Sequence, residues 1–582
     1  MRNWLIALLL WVATCPIVQA QQLVEGRVLQ QPDGQPVAYA GVMANRSGLG
    51  TVTNEQGYFR LQLAANDDSL LVRFIGYKTL RIALLSNKNF YELRLEYSVQ
   101  QLQEVVVVAT DESYLYDLLR RSKLQADKVE RQARAYFELR TLVGKRQVEL
   151  VEGFYNARFV GPDAVDLQLK AGRLALQPIE NRLFASIQSS DALRMMHTFK
   201  SNRYFPTGPF ELRPVALKKR YMLLSEGAYR NEMGDSIVVI RFKPKDEARK
   251  YFEGRAWVDV ERGELLQLQL KCENASMYPF LPLFPDDQIQ GVDFLIERAF
   301  ERQGEDLQLQ RLSFEYRVNY ANRRGELYKV ATKAVLLPYR YEQPFILPRF
   351  KQVDAPLSDY MRINAFPYNA AFWLKSDEVR INDQHGENEA FFADKRSLTN
   401  VEVFQAGSLG GRALLETPYV RWEANKRLLF SQKSERPQPN DPFKRDVRVD
   451  DYHLQVHLFM DLNQLGDSLH WLTATIFDPH QSYFYLPMTN AARCFINMYF
   501  DLMEIERRRL EVRLQQSKRT EAAFLETYAE VMRESQVLAE RFFKEVMIGN
   551  NQKGMMHWNQ VIMDALEIDN LAMYKPFEGD NP

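Results

Sequence analysis

Four of the seven histidines fall between residues 453 and 480, and two stand four apart in His453-Leu-Gln-Val-His457. That spacing puts both imidazoles on one face of a strand or a helix, with Asp450 and Asp451 before them and His470 and His480 after. A catalytic zinc site needs such a clustered pair, completed by a further ligand and a water. The flanks alternate as a half-exposed strand does, so the segment reads as surface or core-edge histidines, and a metal-dependent hydrolase is the rival reading. No His-x-x-Glu and no His-Glu-x-x-His occurs in the chain. Asn382-Asp383-Gln384-His385-Gly386-Glu387-Asn388-Glu389 gathers oxygen ligands around a glycine without the ligand spacing of a calcium loop, and reads as a solvated acidic turn. Gly407-Ser408-Leu409-Gly410-Gly411 is not the Gly-x-Ser-x-Gly nucleophile elbow and reads as a loop. Gly48-Leu49-Gly50 is a strand-connecting turn, not a dinucleotide fingerprint, and no phosphate-cradling Gly-x-x-x-x-Gly-Lys is present. The expectation is therefore no catalytic, cofactor-binding or metal-ligating residues and no cofactor. Phe280-Leu281-Pro282-Leu283-Phe284-Pro285 and Phe366-Pro367-Tyr368 offer aromatic linings for a peptide, glycan or acyl chain, against the plainer reading of core packing.

The elements that would position these residues belong to an ordinary globular chain. Its 582 residues are 46% hydrophobic, 26% charged and 12% aromatic, which excludes disorder, collagen and a polytopic helical membrane protein. Lys+Arg and Asp+Glu both number 75, so no net field favours nucleic acid or anionic lipid as a partner, which leaves only a local patch to supply one. Met1-Arg2-Asn3, the apolar run from Trp4 to Ala13 and Val18-Gln19-Ala20 have the form of a secretory signal peptide over residues 1–20. Its removal leaves 75 − 1 = 74 basic residues against 75 acidic ones, because Arg2 is its only charge. The rival reading lipidates Cys15, although Thr14 and Pro16 flank it poorly. Cys272 and Cys494 then remain; two thiols so far apart read as buried free cysteines, with a single long-range disulfide as the alternative. Cys272 shares strand parity with Leu266, Leu268 and Leu270. No segment approaches 18 uninterrupted apolar residues, so no transmembrane helix is expected, and an end at Glu578-Gly579-Asp580-Asn581-Pro582 after a helical region is unlike the closing strand of an outer-membrane barrel.

From Leu23 onward short alternating strands are separated by turn residues. Leu23–Val28, Ala40–Ala44, Thr51–Thr53, Tyr58–Leu63, Ser69–Phe74, Thr79–Leu84 and Tyr91–Leu95 predict a small antiparallel β-sandwich. In its Asn54-Glu55-Gln56-Gly57 turn, Gly57 can take a positive φ. Gly26-Arg27-Val28, Asp33-Gly34-Gln35-Pro36-Val37, Ala40-Gly41-Val42, Gly50-Thr51-Val52-Thr53-Asn54-Glu55-Gln56-Gly57-Tyr58-Phe59 and Phe74-Ile75-Gly76-Tyr77 resemble the carboxypeptidase-regulatory-like domain. That family is a transthyretin-like sandwich common at the N-termini of Bacteroidetes cell-envelope proteins. The resemblance covers residues 22–108, and it implies an accessory module without peptidase residues. Leu102-Gln103-Glu104-Val105-Val106-Val107-Val108 is similar to the family's closing stretch, which in TonB-dependent receptors leads to an energy-coupling box and a plug. Here a helix follows instead, from about Glu112 to Arg134, with Leu115, Leu118, Leu119, Ser122, Ala126, Val129 and Ala133 on one face.

Antiparallel strands come next, at Asp235–Pro244, at Phe252–Val260 paired with Leu265–Cys272 across a turn containing Gly263, and at Leu307–Tyr320 paired with Leu327–Leu337. A helix with such strands is similar to the domain of unknown function that follows this module in other envelope proteins, and to the half-barrels of periplasmic lipoprotein carriers. Arg436-Pro437-Gln438-Pro439-Asn440-Asp441-Pro442 marks a linker or long loop. Beyond it an α-hairpin is expected over 489–549, its stripe of Phe524, Tyr528, Val531, Ser535, Leu538, Phe542 and Val546 packing inward, followed by a short Met-rich helix.

The fold class expected is multidomain and mainly β with α. A signal peptide (1–20) precedes a β-sandwich (21–109), a helix plus antiparallel half-barrel-like region (111–345), a mixed β/loop region (346–485) and an α-helical region (486–582). The function expected is a non-catalytic envelope protein of the periplasm or outer-membrane periphery that binds or scaffolds a protein partner or an apolar or extended ligand. The alternatives are an accessory or diverged relative of TonB-dependent transport proteins, and the hydrolase built on His453 and His457.

Overall fold

The computed structural model describes residues 23–85, 87–97, 113–124, 130–179, 189–200, 203–230, 234–246, 249–280, 282, 286–303, 306–350, 359–375, 378, 387–399, 419–430, 451–465 and 468–578. The signal-peptide reading, Cys15, Asp450, the Glu104–Val108 stretch, the Gly407–Gly411 loop and the proline-rich segment lie outside them. The described residues are mainly β with helices, in several sheets, with a sandwich on the N-terminal side and helices on the C-terminal side.

The sandwich uses β1 (Leu23–Gln31), β2 (Gly41–Ala44), β3 (Gly50–Val52), β4 (Tyr58–Gln62), β5 (Ser69–Arg73), β6 (Leu80–Ala83) and β7 (Phe90–Glu96). Sheets ordered β4-β1-β7 and β3-β2-β5-β6 close over Val24, Val28, Val42, Phe59, Leu70, Val72, Leu93 and Leu95. One expectation is corrected: β1 and β7 run parallel, from Glu25 opposite Phe90 to Gln31 opposite Glu96. Alternation along each strand reports which face is buried and is blind to strand direction. Gly57 has φ +79, and a Cβ there would meet Val28 O at 2.4 Å. The Asn54 side chain fixes the turn by accepting from Gln56 N and Tyr58 N at 3.0 and 2.9 Å.

Helix α1 spans Ser113–Leu124 and buries Leu115, Leu118, Leu119 and Ser122. The expected continuation to Arg134 is wrong, because Glu130–Val143 is strand β8. Ala133, Ala135, Phe137 and Leu139 are buried at period two, and the ladder hydrogen bonds available on both sides of this strand outweigh a helical pattern that Ala133 also fits. Strands β9 (Arg146–Val160) and β10 (Asp163–Leu176) follow, then helices α2 (Ser189–Met195) and α3 (Pro214–Arg220). After these come β11 (Tyr221–Arg230), β12 (Ser236–Pro244), β13 (Glu253–Asp259), β14 (Glu264–Cys272), β15 (Gln288–Gln303), β16 (Asp306–Ala321) and β17 (Leu327–Tyr341). Short helices α4 (Asp359–Ala365), α5 (Ala370–Lys375) and α6 (Glu387–Ala393) precede β18 (Leu398–Thr399). All eleven strands from β8 to β18 form one sheet, in the order β11-β12-β13-β14-β15-β16-β17-β8-β9-β10-β18.

One face of this sheet carries the largest core, with α1, α2, α3 and α4 laid on it through Leu118, Leu193, Leu217 and Ile363. The other face, at β8, β9, β10 and β17, holds Tyr136, Phe154, Ala171, Val335 and Leu337 under Phe372, Trp373 and Tyr39 of the sandwich. Strands covered on both sides read as continuous apolar runs, which is why β8 to β10 escape an alternation search. In β14 a bulge opposite Trp257 and Val258 shifts the register, so Leu265, Leu268 and Cys272 are buried while Leu266 is half-exposed, correcting its assigned parity. Cys272 and Cys494 are both free and buried, in different cores, and burial pushes both thiols up to about 12.

The remaining strands are β19 (Val420–Arg421), β20 (Tyr452–His453), β21 (Val456–Leu465), β22 (Ser468–Phe477) and β23 (Tyr483–Phe484). They share a core with helices α7 (Asn490–Gln516), α8 (Glu521–Val546) and α9 (Gln552–Leu566), and α10 (Asn570–Tyr574) follows. Thr489 and Thr520 cap α7 and α8 by accepting from Ala492 N and Ala523 N. The two helices pack through Phe495 stacked on Phe542 at 5.5 Å and through Arg513 paired to Glu534 at 3.0 Å. Phe524, Val531, Ser535, Phe542 and Val546 are buried. This unit is tied to the large sheet by the buried Lys170, whose Nζ lies 2.5 Å from Asp461 and donates to Ile346 O and Leu462 O at 2.7 Å.

Candidate functional site

The residues singled out for metal chemistry do not converge. His453 is exposed on β20, its ring 5.8 Å from that of Tyr483. His457, on β21, has Nε2 3.2 Å from Asp478 Oδ2 and its ring against Phe350. His470 stands opposite Asn463 on β22, and the His480 ring meets Tyr419. The chain leaves strand geometry at Leu454 and Gln455, so the spacing of four does not keep both imidazoles on one face. Among the described residues no group of three or more His, Cys, Asp or Glu side chains is placed to hold a metal ion.

The acidic segment is also not a solvated turn where it is described, for residues 387–393 form α6. Asn388 is buried and its amide donates to Glu138 and Glu152, both at 3.1 Å, while Glu389 pairs with Arg173 at 2.9 Å. Arg140 and Arg173 complete the cluster on Glu138 and Glu152, and the Tyr136 hydroxyl sits between the two carboxylates. Its charges pair internally, so it fastens α6 to the sheet. Phe280 stacks on Tyr316 at 4.3 Å against the main core, and Phe366 packs on Phe350 and Phe459, so neither of these rings lines the cavity beneath α1 and α3.

That cavity, of about 910 Å³, opens where α1 and α3 cross the tip of the β9–β10 hairpin, within the range of small-molecule sites (~300–1,000 Å³). Its walls are apolar. Leu119 comes from α1, Val160 and Val165 from the hairpin, Phe199 and Leu212 from the connections flanking α2 and α3, and Leu217 from α3. Gly161, at φ +56, lets the hairpin turn in two residues and brings Pro162 and Asp163 to the wall. Tyr116 fixes α1 by donating from its hydroxyl to Tyr221 O at 2.7 Å.

Asp163 forms the polar floor. Its Oδ1 accepts from Thr198 N and Thr198 Oγ1 at 2.8 Å and from Arg298 at 2.7 Å, and its Oδ2 lies 3.5 Å from His197 Nδ1. Arg298 also donates to Met196 O. Burial raises the Asp163 carboxyl, but the His197 hydrogen bond, the Arg298 charge and the Thr198 bonds outweigh it and hold the group down at about 2. The rim is cationic and exposed: Arg120, Lys200, Arg213 and Lys218. Arg120 reaches Asp117 at 3.2 Å, whereas Lys200, Arg213 and Lys218 have no carboxylate partner among the described residues. Sequence reading missed this site because its residues come from separate segments, each unremarkable alone. The nearest signal was the basic cluster Lys218-Lys219-Arg220 after an apolar turn.

The sandwich has a second line of support beyond its geometry. Residues 24–107 match the CarboxypepD_reg-like domain. The described part of that module is β1 to β7, and its Asn54–Gly57 turn and Gly26 lie inside the match. A Cβ on Gly26 would overlap Tyr91 O at 2.3 Å, so this module needs glycine where β1 passes β7. No curated protein sequence matches the chain. Among solved structures, the complex of Pseudomonas aeruginosa MucA and MucB is similar at 12% identity, over 38% of this chain and 93% of that one, with TM-score 0.13. A LolA superfamily protein from Nitrosomonas europaea is similar at 10% identity, over 41% and 94%, with TM-score 0.15. Likeness at this level carries nothing into the reading of the site. No helix among the described residues is long and apolar enough to cross a membrane.

Proposed function

We propose that this chain is a non-catalytic binding protein of the cell envelope, exported to the periplasm or the outer-membrane periphery. In this reading the cavity under α1 and α3 holds an apolar or acyl-bearing ligand against a half-barrel-like sheet, and the CarboxypepD_reg-like module serves as an accessory docking domain. The observation that carries it is the cavity itself: about 910 Å³, walled by aliphatic and aromatic side chains and floored by a carboxylate already paired with Arg298. Such a wall removes apolar ligand surface from water without requiring a reacting group. Export is supported by the n-region, apolar run and small-residue site in residues 1–20.

The test is displacement of a fluorescent acyl probe from the purified chain. Val165→Trp, which fills the cavity from a half-exposed position, is expected to weaken probe binding about tenfold, or ~1.4 kcal/mol, with unchanged far-UV circular dichroism. Equal binding by wild type and variant, or none by wild type at micromolar probe, would sink the reading. Cell fractionation with mass spectrometry of the mature N-terminus checks export: a chain beginning at Gln21 is expected, and an intact Met1 in the cytosol counts against it.

A further inference from the structure

The rim of the cavity differs in kind from its walls. Four cations, Arg120, Lys200, Arg213 and Lys218, are among the described residues that line the cavity, against two carboxylates, Asp117 and Asp163. Both carboxylates are already engaged, Asp117 with Arg120 and Asp163 with Arg298. Among the described residues, three positive charges therefore have no carboxylate partner at the mouth of an apolar pocket, in a chain whose basic and acidic residues balance at 75 each. Their excess is local and does not reflect a basic protein.

Lys218 lies in the last turn of α3, where its charge also meets the helix dipole. Arg213 precedes α3, and its side chain caps nothing. Lys200 is exposed in the connection beyond α2 and lines the same opening. Lys218 lies over the Tyr116 ring at 5.6 Å, which positions its ammonium at the lip. Like charges held around one opening repel, and the repulsion is relieved when an anion sits among them.

Resting on the cavity reading above, we infer that the ligand is an anionic amphiphile. Its acyl chain occupies the space between Leu119, Val165, Phe199 and Leu217, and its carboxylate or phosphate is held at the mouth by Lys200, Arg213 and Lys218. The chain gains from leaving water, and the headgroup stays at the solvent boundary, where it keeps part of its hydration while pairing with the cations. Arg213 offers a planar two-pronged donor suited to either oxyanion, and the lysines add point charges.

The experiment is competition against one fluorescent acyl probe by four ligands of the same chain length: palmitate, palmitoyl lysophosphatidylglycerol, monopalmitoylglycerol and hexadecyltrimethylammonium. At low salt the two anions are expected to bind about tenfold more tightly than the neutral glyceride, with the cation weakest and the gap shrinking as salt rises. The triple variant K200Q/R213Q/K218Q is expected to bring the anions to the affinity of the glyceride while leaving the glyceride unchanged. A preference for either anion supports the inference, and the stronger of the two identifies the headgroup as carboxylate or phosphate. Equal binding of anions and glyceride, or a gap that survives the triple variant, overturns it while leaving the cavity reading intact. Failure of all four ligands to compete, the glyceride included, overturns both.

Discussion

Asp163 and Arg298 are the polar pair on which the cavity floor depends. Asp163 is 7% exposed and Arg298 3%, so neither charge has bulk water to fall back on. Removing one charge leaves the other buried and unpaired, and Asp163→Asn is expected to cost ~3–5 kcal/mol, read from the urea midpoint. The pH dependence has a definite sign. The folded carboxyl, at about 2, lies below its ordinary 3.8, so the folded state binds fewer protons in between. The stabilisation is complete above about pH 4 and is lost as pH falls through about 2, and it amounts to ~2 kcal/mol. Urea midpoints between pH 5 and pH 2 should therefore fall less steeply in Asp163→Asn than in wild type. Equal slopes would show that Asp163 titrates normally.

Turns decide how the strands of the sandwich meet, and two glycines separate conformation from crowding. Gly34 and Gly57 both have positive φ, +70 and +79. A Cβ at position 34 would meet nothing within 4 Å, whereas at position 57 it would strike Val28 O at 2.4 Å. Gly34→Ala is expected to cost only the left-handed penalty, ~1 kcal/mol, and Gly57→Ala that penalty plus displacement of β1, ~2–4 kcal/mol in all. Hydrogen exchange of the β1 and β4 amides in the full chain measures both, and equal protection in the two variants would contradict the assigned contact. The Gly57 turn was legible in the sequence because a tight turn between two strands restricts its own residues. The end of α1 was not, because Ala133 satisfies a helical period and a strand period alike, and only the pairing of β8 with β9 and with β17 selects the strand.

The sandwich sits on the second face of the large sheet through Tyr39, with Ala38 and Val52 packed beside it. Tyr39 adopts φ +61 and is 7% exposed, with the Arg311 guanidinium 4.6 Å from its ring centre and Lys333 Nζ at 5.1 Å. Around it Lys333 pairs with Glu55 at 2.5 Å and Arg73 with Glu301 at 3.1 Å. The surface pairs contribute little each, so the docking depends on the buried ring. Tyr39→Ala is expected to remove ~3 kcal/mol of packing and to release the module, seen as a larger radius of gyration in solution scattering. An unchanged scattering curve would place the docking energy elsewhere.

What the sequence determined by itself is what neighbouring residues decide: the strand spans of the sandwich and their turn glycines, the hairpins of β13–β14 and β16–β17, and the two long helices α7 and α8. What only the tertiary structure decided is what distant residues share. Alternation fixed which side of β1 is buried but not that β7 runs parallel to it, and β8 to β10, covered on both faces, lost the alternation that would have revealed them. The cavity needs Tyr116, Asp163, His197, Leu217 and Arg298 together, from segments spread over nearly two hundred residues. Strand pairing and helix packing bring them within contact, and since burial, paired charge and cavity shape are properties of that assembly, no local pattern in the chain encodes them.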